Sequence, residues 1–363
     1  MKEFKDYKPE INKCSKCGLC ESVCPLFKIN PNDCVASKGK FLMLGGVING
    51  DLKFSQTINK YLDMCLKCGK CKSFCPGGID ICEILAAAKY EYMKNRLSGK
   101  IINFLQSRPV FNRIIKTGEV LSGLFRPKKS CADTSSPVVV YFKGCVNKVF
   151  PKTDKALARL LKHHPVKIIE PDFECCGLPF MTEGNLERFM QVCKHNTEEL
   201  RKYKYDYLIT DCASCADTIA SYPKYMENAG FLLKNGINWG DFIADENMKF
   251  KFKKHLKVTF HKPCHLENDE FFEKIMNNCE NIEYVKMEDY DACCGFAGSF
   301  ALKNAGISAG LISQKAENIE KTGADYVITT CPACIIGLKL GLAGKKTKVI
   351  SLLEFLAMAD KII

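Results

Sequence analysis

From residue 138 onward, short apolar runs rich in β-branched residues alternate with longer stretches of helical period. Val138–Phe142 is a continuous apolar run ending before Gly144, the pattern of a strand buried on both faces. The pattern then predicts a helix over Thr153–His163, a strand at Val166–Ile169, a helix over Glu183–Tyr203 and a strand at Tyr207–Thr210. The order recurs: Val258–Phe260, Ile282–Lys286 and Tyr326–Thr329 read as strands, and Val349-Ile350 with a helix over Leu352–Ala359 closes the chain. Strands alternating with helices predict βαβ units and parallel sheets. Residues 1–88 differ, with a helix-like stretch reaching Met64 and a helix from about Asp80 to Lys94. Between these regions, Ile101, Phe104, Leu105, Phe111, Ile114, Ile115, Leu121, Leu124 and Phe125 recur at three- and four-residue steps, interrupted at Arg108-Pro109. Residues 89–130 carry 10 Lys and Arg against Glu91 and Glu119, a net +8. A basic amphipathic linker packed across the two halves is expected, and docking to a membrane surface or an acidic partner subunit is the alternative.

Cysteine changes this picture most, with 23 in 363 residues. Cys14, Cys17, Cys20 and Cys24 are repeated 51 positions later by Cys65, Cys68, Cys71 and Cys75, and each run closes on proline, Pro25 or Pro76. This is the spacing of two-cluster ferredoxins, in which the fourth cysteine of each run serves the other cluster. Cys14, Cys17, Cys20 and Cys75 should hold one 4Fe–4S cluster, and Cys65, Cys68, Cys71 and Cys24 the other. A pair of zinc ribbons would need only two C-x-x-C knuckles per metal and has no use for the third evenly spaced cysteine.

A second duplication lies downstream. Cys145, Cys175, Cys176, Cys212 and Cys215 are matched by Cys264, Cys293, Cys294, Cys331 and Cys334, at an offset of 119, or 118 at the double cysteine. Each set follows strands, so its thiols should gather at the carboxyl edge of a sheet, where α/β folds place ligands. Five thiols per copy point to a cluster of unusual shape. A zinc site using four of the five, or a disulfide between Cys175 and Cys176, are the alternatives. Cys34, Cys82, Cys131, Cys193 and Cys279 remain as ordinary residues, with Cys193 and Cys279 in helix-like stretches.

Composition bounds the class. Hydrophobic residues at 47% and charged residues at 26% suit a globular protein, and the length suits two or three domains. Disulfide-dense scaffolds are short, and the chain opens Met1-Lys-Glu-Phe-Lys-Asp and stays polar to Lys13, so no cleavable leader is expected and thiolates spent on metal in a reducing cytoplasm are. The formal charge of +12 hints at an acidic partner or an anionic surface. It concentrates in the linker rather than in a groove with stacking aromatics, so nucleic acid is not the expected partner. No nucleotide fingerprint, P-loop or nucleophile elbow occurs. His163, His164, His195 and His255 read as surface residues. His261 and His265 flank Cys264, and His265 is the candidate for hydrogen bonding to cluster sulfur and for proton donation.

With these motifs in place, the chain resembles the CCG-domain iron–sulfur oxidoreductases. That family includes the glycolate oxidase iron–sulfur subunit, lactate-utilisation proteins, the C subunit of anaerobic glycerol-3-phosphate dehydrogenase, and the B and D subunits of heterodisulfide reductase. Cys24-Pro-Leu-Phe, Ser37-Lys-Gly-Lys and Leu62-Asp-Met-Cys-Leu-Lys-Cys lie nearest the glycolate oxidase branch, and His261-Lys-Pro-Cys-His-Leu is shared by both branches. Thr330-Cys-Pro-Ala-Cys keeps a C-x-x-C often degraded in that branch, as heterodisulfide reductase does.

The resemblance implies an α+β multi-domain chain. A helical two-cluster 4Fe–4S ferredoxin-like domain at 1–95 and the linker at 96–136 would precede two duplicated α/β CCG domains with parallel sheets, at 137–250 and 251–363. It implies two cubane clusters and one or two noncubane 4Fe–4S clusters, with zinc conceivable in one copy. Function would then be electron transfer from a partner flavoprotein of the 2-hydroxy-acid oxidase type, alongside other electron-transfer subunits. The runner-up is a catalytic subunit that cleaves a disulfide at noncubane clusters, and a third reading is a redox sensor or scaffold. The expected location is cytoplasmic, with peripheral contact at the inner membrane face through the linker.

Overall fold

The computed structural model describes residues 2–94, 96, 106, 136–149, 152–162, 164, 166–227, 229–230 and 238–363. Most of the basic stretch 96–136, including its amphipathic positions and Cys131, lies outside the described residues. The described chain forms two compact units. One gathers residues from 1–107, 177–189 and 293–313, and the other those from 108–176, 190–292 and 314–363. No helix among the described residues is long and apolar enough to cross a membrane.

The first unit is helical. Helix Ser37–Asn49 ends at Gly50, whose positive φ supplies the left-handed turn. Ser55 caps helix Gln56–Asp63 by accepting from the Ile58 N–H, and Asp80 caps helix Ile81–Met93 by accepting from the Glu83 N–H, each at 3.3 Å. Phe4, Tyr7, Ile11, Phe41, Leu44, Ile58, Leu62, Ile84 and Leu85 form its core. A partly buried ionic network ties in the later stretches. Lys89 pairs with Asp63 at 2.8 Å and Glu183 at 3.7 Å and donates to the Thr182 carbonyl, while Lys303 pairs with Glu183 at 2.6 Å and Asp63 at 3.1 Å. Burial alone would raise the Glu183 carboxyl, but Lys89, Lys303 and the Ser299 hydroxyl hold it down at about 2.

The second unit carries two sheets. Strands β1 (Val138–Tyr141), β2 (Lys167–Ile169) and β3 (Tyr207–Ile209) form a parallel sheet in the order β2-β1-β3. Strands β4 (Phe250–Phe260), β5 (Cys279–Tyr284), β6 (Tyr326–Thr329) and β7 (Lys348–Ser351) repeat that order as β5-β4-β6 and add β7. The duplication extends to register. Val139 pairs with Tyr207, and 119 positions on in both strands Val258 pairs with Tyr326. The Asp206 carboxylate accepts from the Val138 N–H at 2.8 Å, and Asp325 does the same for Lys257 at 3.0 Å.

Several elements differ from expectation. β4 begins eight residues before Val258, because Phe250 and Phe252 face inward while Lys251 and Lys253 stay exposed. Its start is held by the short strand β8 (Lys361–Ile362), which pairs antiparallel. The helix expected over Glu183–Tyr203 runs over Leu186–Arg201, and a separate short helix, Leu178–Thr182, precedes it. Between them Gly184 has positive φ, and a Cβ there would meet Lys89 at 2.8 Å. Cys279 opens β5 rather than sitting in a helix, and it is buried.

Candidate metal centres

The N-terminal thiols line two cavities in the first unit. One is lined by Cys14, Cys17, Cys20 and Cys75, with Cys71 at its wall. The other is lined by Cys24, Cys65, Cys68 and Cys71, with Cys82 beside them. Gly18 and Gly69, at matched positions, take left-handed conformations that begin the short helices carrying Cys20 and Cys71. Ser37 lines both cavities. As the first residue of helix Ser37–Asn49 it donates its hydroxyl to the Cys71 thiol, while the Lys38 backbone N–H serves Cys20. Helix Pro25–Ile29 likewise offers the Phe27 and Leu26 N–H groups to Cys24. Burial pushes the Cys71 thiol up to about 12 and Cys24 upward too, which disfavours both as free thiolates.

The second cavity is electrostatically distinct. Lys40 is 1% exposed and donates to the Val35 carbonyl. The Lys67 ammonium is buried without a hydrogen-bond partner among the described residues. At Cys65 desolvation is the largest influence and would raise the thiol, but the charges of Lys67 and Lys40, the Lys67 N–H and the more distant Lys89 together hold it below the usual thiol value. Thiol donors beside buried cations that pair with no carboxylate among the described residues would suit an anionic iron–sulfur cluster, and Cys24, Cys65, Cys68 and Cys71 are the thiols that could hold it. Cys82, read from sequence as incidental, is a fifth thiol here, kept protonated first by burial and then by the Cys65 charge. Every cysteine described is a free thiol.

In the second unit, strand ends deliver the downstream cysteines. Cys145 begins a helix just beyond β1, Cys212 stands at the residue before helix Ala213–Ser221 after β3, and Cys215 lies in that helix's first turn. A Cβ at Gly144 would lie 3.1 Å from the Cys215 sulfur, so glycine admits that approach. The Cys145 and Cys175 sulfurs are 3.7 Å apart. Asn196 holds the double-cysteine loop. It accepts from the Glu174 N–H at 2.9 Å and donates to the Cys175 carbonyl and the Tyr222 hydroxyl, both at 3.1 Å, and Tyr222 donates to the Cys176 carbonyl at 2.8 Å. Of the second set, Cys264, Cys331 and Cys334 lie in this unit. Cys293 and Cys294 open the 293–313 stretch of the first unit, where the Gly295 N–H points to the Cys293 sulfur at 3.5 Å.

The two C-x-x-C segments abut. The Ala213 N–H donates to the Thr330 carbonyl at 3.0 Å, and Ser214 Oγ lies 3.7 Å from Cys331 Sγ. Hydrogen bonds from the Cys212 and then the Cys334 thiol hold Cys331 well down, making it the thiolate of the group. His265, on the second copy, shares a 2.5 Å hydrogen bond with Asp217 on the first. Burial opposes its charge, but Asp217 and the neighbouring Cys264 lift the imidazole to about 9. His261 is fully buried and its ring nitrogens make no well-formed hydrogen bond among the described residues. Burial drives it down to about 3, so it is neutral.

Comparison with known proteins decides the family. The cysteine-rich CCG domain matches residues 139–220 and again 258–339, and the 4Fe-4S dicluster domain matches 10–79. The chain belongs to the CCG-domain iron–sulfur oxidoreductase family. Among CCG-domain relatives, the B subunit of the fumarate reductase (CoM/CoB) of Methanothermobacter marburgensis is 29% identical, over 98% of this chain and 74% of its own. "Probable glycolate oxidase iron-sulfur subunit" of Bacillus subtilis is 22% identical over 94% and 91%. "Lactate utilization protein A" of a Geobacillus strain is 29% identical over 60% of this chain and 98% of its own. A hypothetical protein from Helicobacter pylori shares the fold, with a TM-score of 0.54 at 12% identity, covering 89% of this chain and 67% of that one. For a CCG-domain chain, the residues that sequence reasoning passed over are Lys40, Lys67, Asn196, Tyr222 and Asp217. His261 was noted only as a neighbour of Cys264. The repeat held a signal for it, since it stands 119 positions after the buried Phe142 and makes the same backbone bond, Phe142 to Ile209 and His261 to Ile328.

Proposed function

We propose that this chain is the electron-transfer subunit of a multi-subunit oxidoreductase. It takes electrons from a flavoprotein partner that oxidises a small 2-hydroxy acid and passes them to an acceptor at the CCG copies. The observation that carries this reading is the pair of thiol-lined cavities in one unit, together with the abutting C-x-x-C segments in the other. When bound, 4Fe–4S clusters supply one-electron steps, and a flavin must supply the two-electron step because the chain carries no flavin fingerprint. Cys14, Cys17, Cys20 and Cys75 would hold one cubane and Cys24, Cys65, Cys68 and Cys71 the other. Cys145, Cys175, Cys176, Cys212 and Cys215, and Cys264, Cys293, Cys294, Cys331 and Cys334, would hold the downstream clusters. Ser37 and the first turn of its helix orient thiols of both cavities, and the Asn196–Tyr222 pair fixes the first double cysteine. The proposed location is cytoplasmic, with the basic 96–136 stretch meeting an acidic partner or the membrane face.

A second reading has its own support. The contact between the Cys212–Cys215 and Cys331–Cys334 segments places two thiol sets side by side, an arrangement able to receive both sulfurs of a disulfide. The relative named for CoM/CoB supports an acceptor of that branch. In this reading the Asp217–His265 pair beside Cys264 is the candidate proton donor.

Metal analysis of anaerobically prepared protein tests the proposal. About 16 irons and no zinc are expected if all four sites hold 4Fe–4S clusters. About 8 irons with zinc would overturn the assignment of the CCG thiols. EPR during titration with a disulfide separates the readings, since new paramagnetic signals belong only to the second.

A further inference from the structure

The two N-terminal thiol sites have the same spacing and unlike charge. Lys16 and Lys67 occupy matched positions 51 residues apart, both with left-handed φ, 61° and 56°. Lys16 is exposed, whereas Lys67 is buried with its ammonium unsatisfied. Lys40 is buried on the same side, and neither lysine forms an ion pair with a carboxylate among the described residues. Lys89 is near but already shared between Asp63 and Glu183. At the other site the comparable cation, Lys38, is tied to Glu21 at 2.8 Å and Asp33 at 3.4 Å.

Reducing a cluster adds one negative charge to its cavity. An uncompensated buried cation favours that charge, and an exposed lysine is screened. Deep burial by itself works the other way, disfavouring added charge. We propose that Lys67 and Lys40 set the Cys24–Cys65–Cys68–Cys71 site at a higher one-electron reduction potential than the Cys14–Cys17–Cys20–Cys75 site. An electron arriving from the flavoprotein then comes to rest at the lysine-flanked site. No bond is made or broken, and the flavoprotein is the reductant. This inference rests on the thiol assignment proposed above.

The test is an EPR-monitored redox titration of the full chain, reconstituted anaerobically with iron and sulfide. Cys17→Ser and Cys68→Ser assign the two cubane signals. The signal lost in Cys68→Ser should be reduced first. Lys67→Met should make its reduction at least tenfold less favourable, 59 mV for one electron, with the other signal unmoved. Lys67→Arg should restore the potential, and Lys16→Met should shift neither site. If Lys67 only steadied the fold, Lys67→Met would lose iron while the remaining clusters kept their potential, and that result overturns the proposal. So does first reduction at the Cys14 site, or an equal shift of both signals. Should Lys67→Met fail to load, Lys40→Met carries the same expectation and the order in the unaltered protein still decides. Absence of either cubane signal from the unaltered protein overturns the thiol assignment itself, and this proposal with it.

Discussion

The two cysteine-rich copies share their strand order and the register of one strand pair, β1–β3 in the first and β4–β6 in the second, but hold their double-cysteine loops differently. In the first, one buried side chain serves as a hub: Asn196 satisfies the Glu174 N–H and the Cys175 carbonyl and anchors Tyr222. In the second, the residue 119 positions on is Lys315, which donates to the Asp289 carbonyl, while Asn318 separately donates to the Glu288 carbonyl at 3.2 Å. Sheet register is set by strand pairs that tolerate no one-residue slip. A loop needs only that its buried backbone groups find partners, whichever side chain provides them. Duplication has therefore kept the scaffold and let the fastenings diverge.

The largest expected effect lies where the copies touch. Because the Cys212 thiol hydrogen-bonds to Cys331, Cys212→Ser should disturb both downstream sites, and Cys145→Ser only the first. In terms of iron, Cys212→Ser should lose about 8 of about 16 and Cys145→Ser about 4. Equal losses would show that the two sets act independently. Cys293→Ser should remove the second downstream site and leave the N-terminal EPR signals intact.

Next comes the hub. Asn196→Ala strands a buried N–H and a buried carbonyl, and should destabilise the second unit by about 3 kcal/mol. Urea denaturation followed by circular dichroism reads this as a lower midpoint at unchanged slope. No change would mean that water replaces the side chain, and the loop would then not depend on it.

The hub also shows what sequence could and could not reveal. Offsets of 51 and 119 were legible because cysteines are rare and their chemistry fixes their spacing. Val138–Tyr141 and Tyr326–Thr329 were legible because a buried strand is continuously apolar. Asn196 was not, since its partners lie 21 to 26 positions away and a polar residue in an amphipathic helix reads as surface. Lys40 and Lys67 were missed for a related reason. A lysine is almost never fully buried unless paired, and only the fold shows that these lie beside thiols. Cys279 was misplaced because the apolar Phe271, Phe272, Ile275 and Met276 carry a helical period up to its doorstep.

Tyr222→Phe probes the same clamp more gently. It removes one hydroxyl, which donates to the Cys176 carbonyl and accepts from Asn196, and should cost about 1 kcal/mol in the same urea measurement. A cost matching that of Asn196→Ala would move the centre of the clamp from the asparagine to the tyrosine.

The smallest effect should come from Asn318→Ala in the second copy. Asn318 is itself buried, but the carbonyl it serves belongs to exposed Glu288, where water can take over the bond. Lys315 still holds the adjacent carbonyl of Asp289. A loss of about 0.5 kcal/mol is expected, several-fold below Asn196→Ala. The ratio matters more than either value, because both substitutions truncate asparagine to alanine on equivalent helices, Leu186–Arg201 and Ala305–Lys321. Equal losses would mean that the second loop also turns on a single residue, and the contrast between a hub and divided fastenings would fail.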